Sequence, residues 1–212
     1  MTVHTRFSGA PRSDQPRNAL LKQILSRRGF ETAFDLSTIE AALTVGDSVL
    51  GGGHADPRTV QACEEKTRRC FFVRRDAAGA VEGFIALLYL NRAGYLALVD
   101  GQFSPVQPRL EHLTDADEDA AAIYVWCLAG RGEETRRALV RAVTEARRRA
   151  FEHIPLFARP VSREGRMMTA ALDAPNGPTA WLGWIPQAQI PEDRQPDVSQ
   201  PIEQGVSADG RI

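Results

Sequence analysis

One run constrains this chain more than any other feature. Residues 121–129, Ala-Ala-Ile-Tyr-Val-Trp-Cys-Leu-Ala, are nine consecutive apolar or aromatic positions, closed by Gly130-Arg131-Gly132. A strand without alternation has no solvated face, so the segment belongs inside a sheet that is covered on both sides. Residues 133–152 then carry Leu139, Val143, Ala146 and Ala150 on one helical stripe. Glu133 and Glu134 in the first turn and Arg147, Arg148 and Arg149 near the end suit the helix dipole. Residues 154–159 read as a second strand, and Ser162 as the N-cap of a helix running through residue 172. That order and spacing predict a parallel βαβ unit with a right-handed crossover. Tyr124 and Trp126 share one face of the first strand and pack in the core.

Upstream the period changes. Residues 70–75 and 81–91 are rich in Phe, Val, Ile, Leu and Tyr and are separated by Asp76-Ala77-Ala78-Gly79-Ala80, which predicts a β-hairpin. Residues 95–103 read as a third strand, completing an antiparallel meander ahead of the βαβ unit. The class is therefore α/β with a mixed sheet. Before the meander, Leu20, Leu21, Ile24 and Leu25 predict a short amphipathic helix ending near Gly29. Ser37-Thr38-Ile39-Glu40 has the form of a capping box opening a helix over residues 38–43, and Asp56-Pro57 opens another through residue 67. Between them, Gly51-Gly52-Gly53 follows no strand and lacks the spacing of a phosphate-binding loop, so it reads as a flexible connector. The expected organisation is a flexible arm over residues 1–17, one domain over 18–186 and a disordered tail over 187–212.

Charge narrows the function classes. Lys+Arg (26) balances Asp+Glu (27), which argues against nucleic acid and against an anionic membrane surface as partners. No apolar stretch is long enough to span a bilayer and none resembles a signal peptide, so the expected compartment is the cytoplasm. Cys63, Cys70 and Cys127 have no metal-knuckle or disulfide spacing, and His4, His54, His112 and His153 are scattered, so no metal site is expected. Cys127 in its apolar strand reads as a packing residue without a neighbouring base.

The stretch Ile123-Tyr124-Val125-Trp126-Cys127-Leu128-Ala129-Gly130-Arg131-Gly132, with Arg137-Ala138-Leu139 in the helix that follows, resembles the strand, pyrophosphate loop and helix of the GNAT acyltransferase superfamily. The resemblance extends over residues 70–184, with Leu182-Gly183-Trp184 where such proteins often carry a Leu-Gly-Phe-like end. It implies a GNAT-like fold, an antiparallel meander followed by a βαβ unit with helices on both faces. It also implies an acyl-CoA-dependent acyltransferase, an N-acetyltransferase acting on a small-molecule or peptide amine, with acetyl-CoA or another acyl-CoA as cofactor. The cofactor segment would be Cys127, Leu128, Ala129, Gly130, Arg131, Gly132, Glu133, Glu134, Thr135, Arg136 and Arg137. A helix N-terminus offers unpaired amides and partial positive charge to a pyrophosphate. Glu134 and Arg136 occupy two positions where the family's loop has small residues. A carboxylate there opposes an anion, while arginines offer side-chain contacts in place of the amides.

The resemblance implies an acidic general base and a tyrosine proton donor on the last helix. By position near strand ends Asp100, Glu111 and Asp119 are the candidate bases, and since residues 162–172 contain no tyrosine, Ser162 is the candidate donor. The competing reading is a non-catalytic protein of the same fold that uses the cleft to hold another ligand or a peptide. Self-association as a homodimer is left open.

Overall fold

A computed structural model of the chain describes residues 15–160, 162–173 and 183–184. The expected tail over residues 187–212 and all but the last three residues of the arm lie outside that set. Helix α1 (Gln15–Ser26) starts earlier than expected, taking in residues assigned to the arm, and buries Leu21, Ile24 and Leu25. A strand that sequence reading missed, β1 (Phe30–Thr32), follows at once. Helix α2 (Leu36–Leu50) is capped by Asp35, whose carboxylate accepts from the Thr38 amide at 2.8 Å, so the expected Ser37 capping box is corrected to an aspartate cap. It also runs to Gly51, in the left-handed region at φ 83°, well past residue 43. Helix α3 (Pro57–Thr67) begins as expected, with Asp56 as N-cap and Pro57 in its first turn.

Strands β2 (Phe71–Arg75) and β3 (Val81–Leu90) form the expected hairpin, its loop closed by Asp76, which accepts from the Ala78 and Ala80 amides. The expected third strand over residues 95–103 is instead helix α4 (Arg92–Val99). Asn91 is the cause: its side chain accepts from the Gly94 amide at 3.0 Å and starts a helix, whose Tyr95, Leu98 and Val99 then meet the core at helical spacing. A 3-10 turn (Leu110–His112) leads on to β4 (Ala122–Gly130), helix α5 (Gly132–Arg149), β5 (Leu156–Ala158), helix α6 (Arg163–Asp173) and β6 (Gly183–Trp184).

These strands form one six-stranded sheet in the order β1-β2-β3-β4-β5-β6. Only β4 and β5 pair in parallel among them, so the chain has a mixed α/β architecture. Alternation sorts the core onto two faces. Phe72, Ile85, Leu87, Ile123 and Val125 pack with α1 and α5, whereas Phe71, Val73, Phe84 and Ala86 pack with α2 and α3. Two charged residues are buried with partners. Glu64 accepts from the Cys70 and Phe71 amides, and Arg69 lies over the Tyr89 ring while donating to Asn18, Thr114 and the Glu118 carbonyl. Among the described residues, no helix is long and apolar enough to cross a membrane.

Candidate functional site

Strand β4 outlasts its parallel partner. Pairing with β5 covers only Ile123, Tyr124 and Val125, so residues 126–130 continue without β5 beside them. The space left between the strands opens into a cleft of about 1020 Å³, within the range that holds a cofactor or substrate. Its walls include Trp126, Cys127, Leu128, Ala129 and Gly130 from β4, Ala158, Arg159 and Pro160 at the end of β5, and Ser162, Gly165 and Met168 at the start of α6. The N-terminal turn of α5 closes one end with Glu133, Arg136 and Arg137. The α2–α3 connection supplies Gly52, Gly53 and His54 on the opposite face.

Seven of the eleven residues expected to meet a cofactor line this cleft, and four, Arg131, Gly132, Glu134 and Thr135, do not. Arg131 is the N-cap of α5 with no side-chain cap bond, and its guanidinium donates to Ser48 Oγ on α2 at 3.2–3.3 Å. Gly132 has φ 72°, a left-handed conformation that glycine adopts without strain. Glu134, 88 % exposed, turns away to Arg74, which it meets at 2.5 Å and which also holds Glu82 at 2.7 Å. The carboxylate expected to obstruct an anion thus faces a second, arginine-rich cavity of about 520 Å³ with Arg27, Arg28, Arg74 and Arg75. Glu133 does line the cleft, paired one turn on with Arg137 at 2.5 Å.

Thr135 also departs from the expected role. It is buried, and a Cβ added at Gly83 or Gly130 would lie 2.6 or 2.9 Å from its Cγ2. Gly130 is therefore required by packing against the helix as well as by any ligand.

The expected acid–base residues are dispersed. Asp100 is the exposed C-cap of α4, Glu111 sits in the 3-10 turn 3.8 Å from Arg109, and Asp119 is exposed in the segment before β4. None of the three lines the cleft. Ser162 does, and its Oγ accepts from the Gly165 amide at 3.0 Å as the cap of α6.

What sequence reading missed is a grouping that only the fold creates. His54 Nδ1 lies 4.0 Å from Cys127 Sγ, and His54 Nε2 lies 3.6 Å from Asp47 Oδ1. Cys127 is half-buried and packs against the α2/α3-side core as expected, but it has an imidazole beside it, which corrects the expectation of no neighbouring base. Tyr124, across from Arg159, adds a phenol to the wall; burial raises its pKa and Arg159 opposes the rise. No spacing rule links Cys127 to Asp47 and His54, because His54 and Cys127 are 73 positions apart and only the folded sheet brings β4 to the end of α2. Among the described residues no cluster of His, Cys, Asp or Glu is arranged to hold a metal ion. Compared with known proteins, the chain matches no family model, no curated protein and no solved structure, so the chemistry of the cleft rests on its own residues.

Proposed function

We propose that the chain is an acyl-CoA-dependent acyltransferase of GNAT type that transfers an acyl group to an amine. The observation that carries the reading is the parting of β4 from β5 beyond Val125, next to an α5 N-terminus without a side-chain cap. The edge of β4 that β5 leaves unpaired over residues 126–130 offers hydrogen bonds to an extended, amide-containing arm. The first-turn amides of α5 offer donors and partial positive charge to a pyrophosphate. Arg136 and Arg137 on the cleft wall add guanidinium donors suited to phosphate oxygens. Residues 126–130 would hold the arm of the donor, and the α2–α3 side of the cleft, with His54, would receive the amine.

The test is direct. Acetyl-CoA at a hundredfold excess over its Kd should stabilise the chain by about 2.7 kcal/mol, raising Tm by roughly 5–10 °C. Arg136→Ala should weaken calorimetric binding about tenfold, the worth of one charge-assisted contact of roughly 1.4 kcal/mol. A folded chain that fails to bind acetyl-CoA at millimolar concentration would remove the reading.

The second reading, a non-catalytic binding protein with the same cleft, draws on Glu133, a carboxylate at the α5 end of the cavity. It predicts binding of a neutral or cationic ligand and no acyl transfer.

A further inference from the structure

We propose that Cys127, His54 and Asp47 form a nucleophilic relay in which Cys127 Sγ carries the acyl group as a thioester between the donor and the amine. The inference deepens the acyl-transfer reading of the cleft and rests on it. Three groups stand in the order nucleophile, base and orienting carboxylate: Sγ to Nδ1 at 4.0 Å and Nε2 to Asp47 Oδ1 at 3.6 Å. The 3.6 Å separation is longer than a hydrogen bond, so the relay requires the imidazole to draw closer to Asp47 as it takes the proton.

The arrangement is built into the backbone. A Cβ at Gly46 would lie 2.7 Å from His54 Nε2 and 3.2 Å from its Cε1, so the ring occupies space that only a glycine at that position leaves. Residue 46 lies one position before Asp47 on α2, and Gly51, Gly52 and Gly53 turn the chain at φ 83°, 93° and 87° before His54. The imidazole is 14 % exposed while Asp47 is 61 % exposed, so the base is sheltered and its carboxylate partner stays solvated. Both Cys127 and His54 line the cleft, on the wall that the donor's acyl end would reach.

Burial pushes the Cys127 thiol up to about 12; the Leu128 amide opposes this and the Asp47 charge adds to it. The thiol is therefore protonated at neutral pH and behaves like a hydroxyl, which needs a base during attack. The steps balance. As Sγ attacks the donor's thioester carbonyl, its proton passes to His54 Nδ1. The carbonyl's bond to the donor sulfur breaks, and that sulfur leaves as a thiol carrying the proton from the imidazolium. The amine nitrogen then attacks the Cys127 thioester, the new amide forms, and the amine's proton returns through His54 to Sγ.

The experiment treats the full chain with acetyl-CoA and, separately, with p-nitrophenyl acetate, which needs no CoA site. Acid quenching, intact mass and peptide mapping then locate any acetyl group. One hydroxylamine-labile acetyl on Cys127 is expected from both donors, and none on Cys127→Ala. His54→Gln should slow acylation at least about 100-fold, the usual contribution of a general base, and Asp47→Asn by less. Gly46→Ala should slow it about 10- to 100-fold by displacing an intact imidazole, which keeps the test valid if His54→Gln folds poorly.

Acetyl-CoA binding without acylation of Cys127 by either donor would overturn the relay and leave the cleft reading standing. Acylation at the natural rate in folded His54→Gln and in Gly46→Ala would overturn it as well. Labelling of Cys127 by p-nitrophenyl acetate that depends on His54, in a chain that does not bind acetyl-CoA, would uphold the nucleophile and remove the CoA reading.

Discussion

At Glu64 the chain buries a carboxylate against two backbone amides. Burial pushes its pKa up to about 7, while the Phe71 and Cys70 N–H groups, Lys22 and Arg68 pull it down. A folded-state value above the ordinary 4.5 means that the folded chain holds this proton more tightly than the unfolded chain does. The resulting stability is fully present below about pH 4.5 and is lost as pH rises through about 7. Glu64→Gln keeps an oxygen for both amides but cannot titrate. Its Tm should fall less than that of the natural chain between those pH values, by roughly 5 °C at a chain length where 1 kcal/mol moves Tm by about 2–4 °C. Parallel melting curves across the interval would contradict this. Glu134 makes a different point. Because it is turned to Arg74, Glu134→Gly should cost about 1 kcal/mol of helix stability and change acetyl-CoA affinity by less than about threefold, read by calorimetry at matched folded fraction.

The elements were legible where one local signal decided them. The β4–α5–β5 succession, the β2–β3 hairpin and the Asp56-Pro57 start of α3 each follow from a run, a turn or a cap in the sequence. Residues 95–103 read as a strand because their apolar residues suit either period, whereas a single cap, Asn91, decides for helix over Arg92–Val99. Strand β1 is three residues long and is held by its pairing with β2, which no local pattern reveals. The site divides the same way. Its β4 wall could be read from residues 127–130, but the thiol–imidazole–carboxylate group could not, since α2, the connection after it and β4 meet only in the folded sheet. Contact between elements also yields a test: a Cβ at Gly83 would lie 2.6 Å from Thr135 Cγ2 and 2.9 Å from the Ala129 carbonyl oxygen. Gly83→Ala should therefore destabilise the packing of β3 against β4 and α5 by about 1–3 kcal/mol, measured by denaturant unfolding.

Across the whole molecule, the sheet separates an α1/α5 layer from an α2/α3 layer, and Arg69 ties distant parts together from a buried position. It reaches Asn18 on α1 and Thr114 and Glu118 in the segment before β4, with its guanidinium 4.2 Å from the Tyr89 ring centre. Arg69→Met removes the charge and leaves those acceptors without their donor, so chemical denaturation should report a loss of about 3 kcal/mol. The sheet also makes parity matter, because a side chain's layer is set by whether its position counts as odd or even along the pleat. The pairing of β3 with β4 changes register between Ala86 and Leu87, where Cys127 faces Ala86 and Val125 faces Leu87, so Trp126 is the extra residue. Val125 and Cys127 would otherwise point the same way, yet Val125 joins the α1/α5 layer while Cys127 packs on the α2/α3 side. Trp126, its indole donating to the Pro105 carbonyl at 2.6 Å, thus reverses the count for the rest of the strand. Were Trp126 instead paired as an ordinary residue of the ladder, Cys127 would point the same way as Val125, and the thiol would be delivered to the half of the molecule that holds neither His54 nor Asp47.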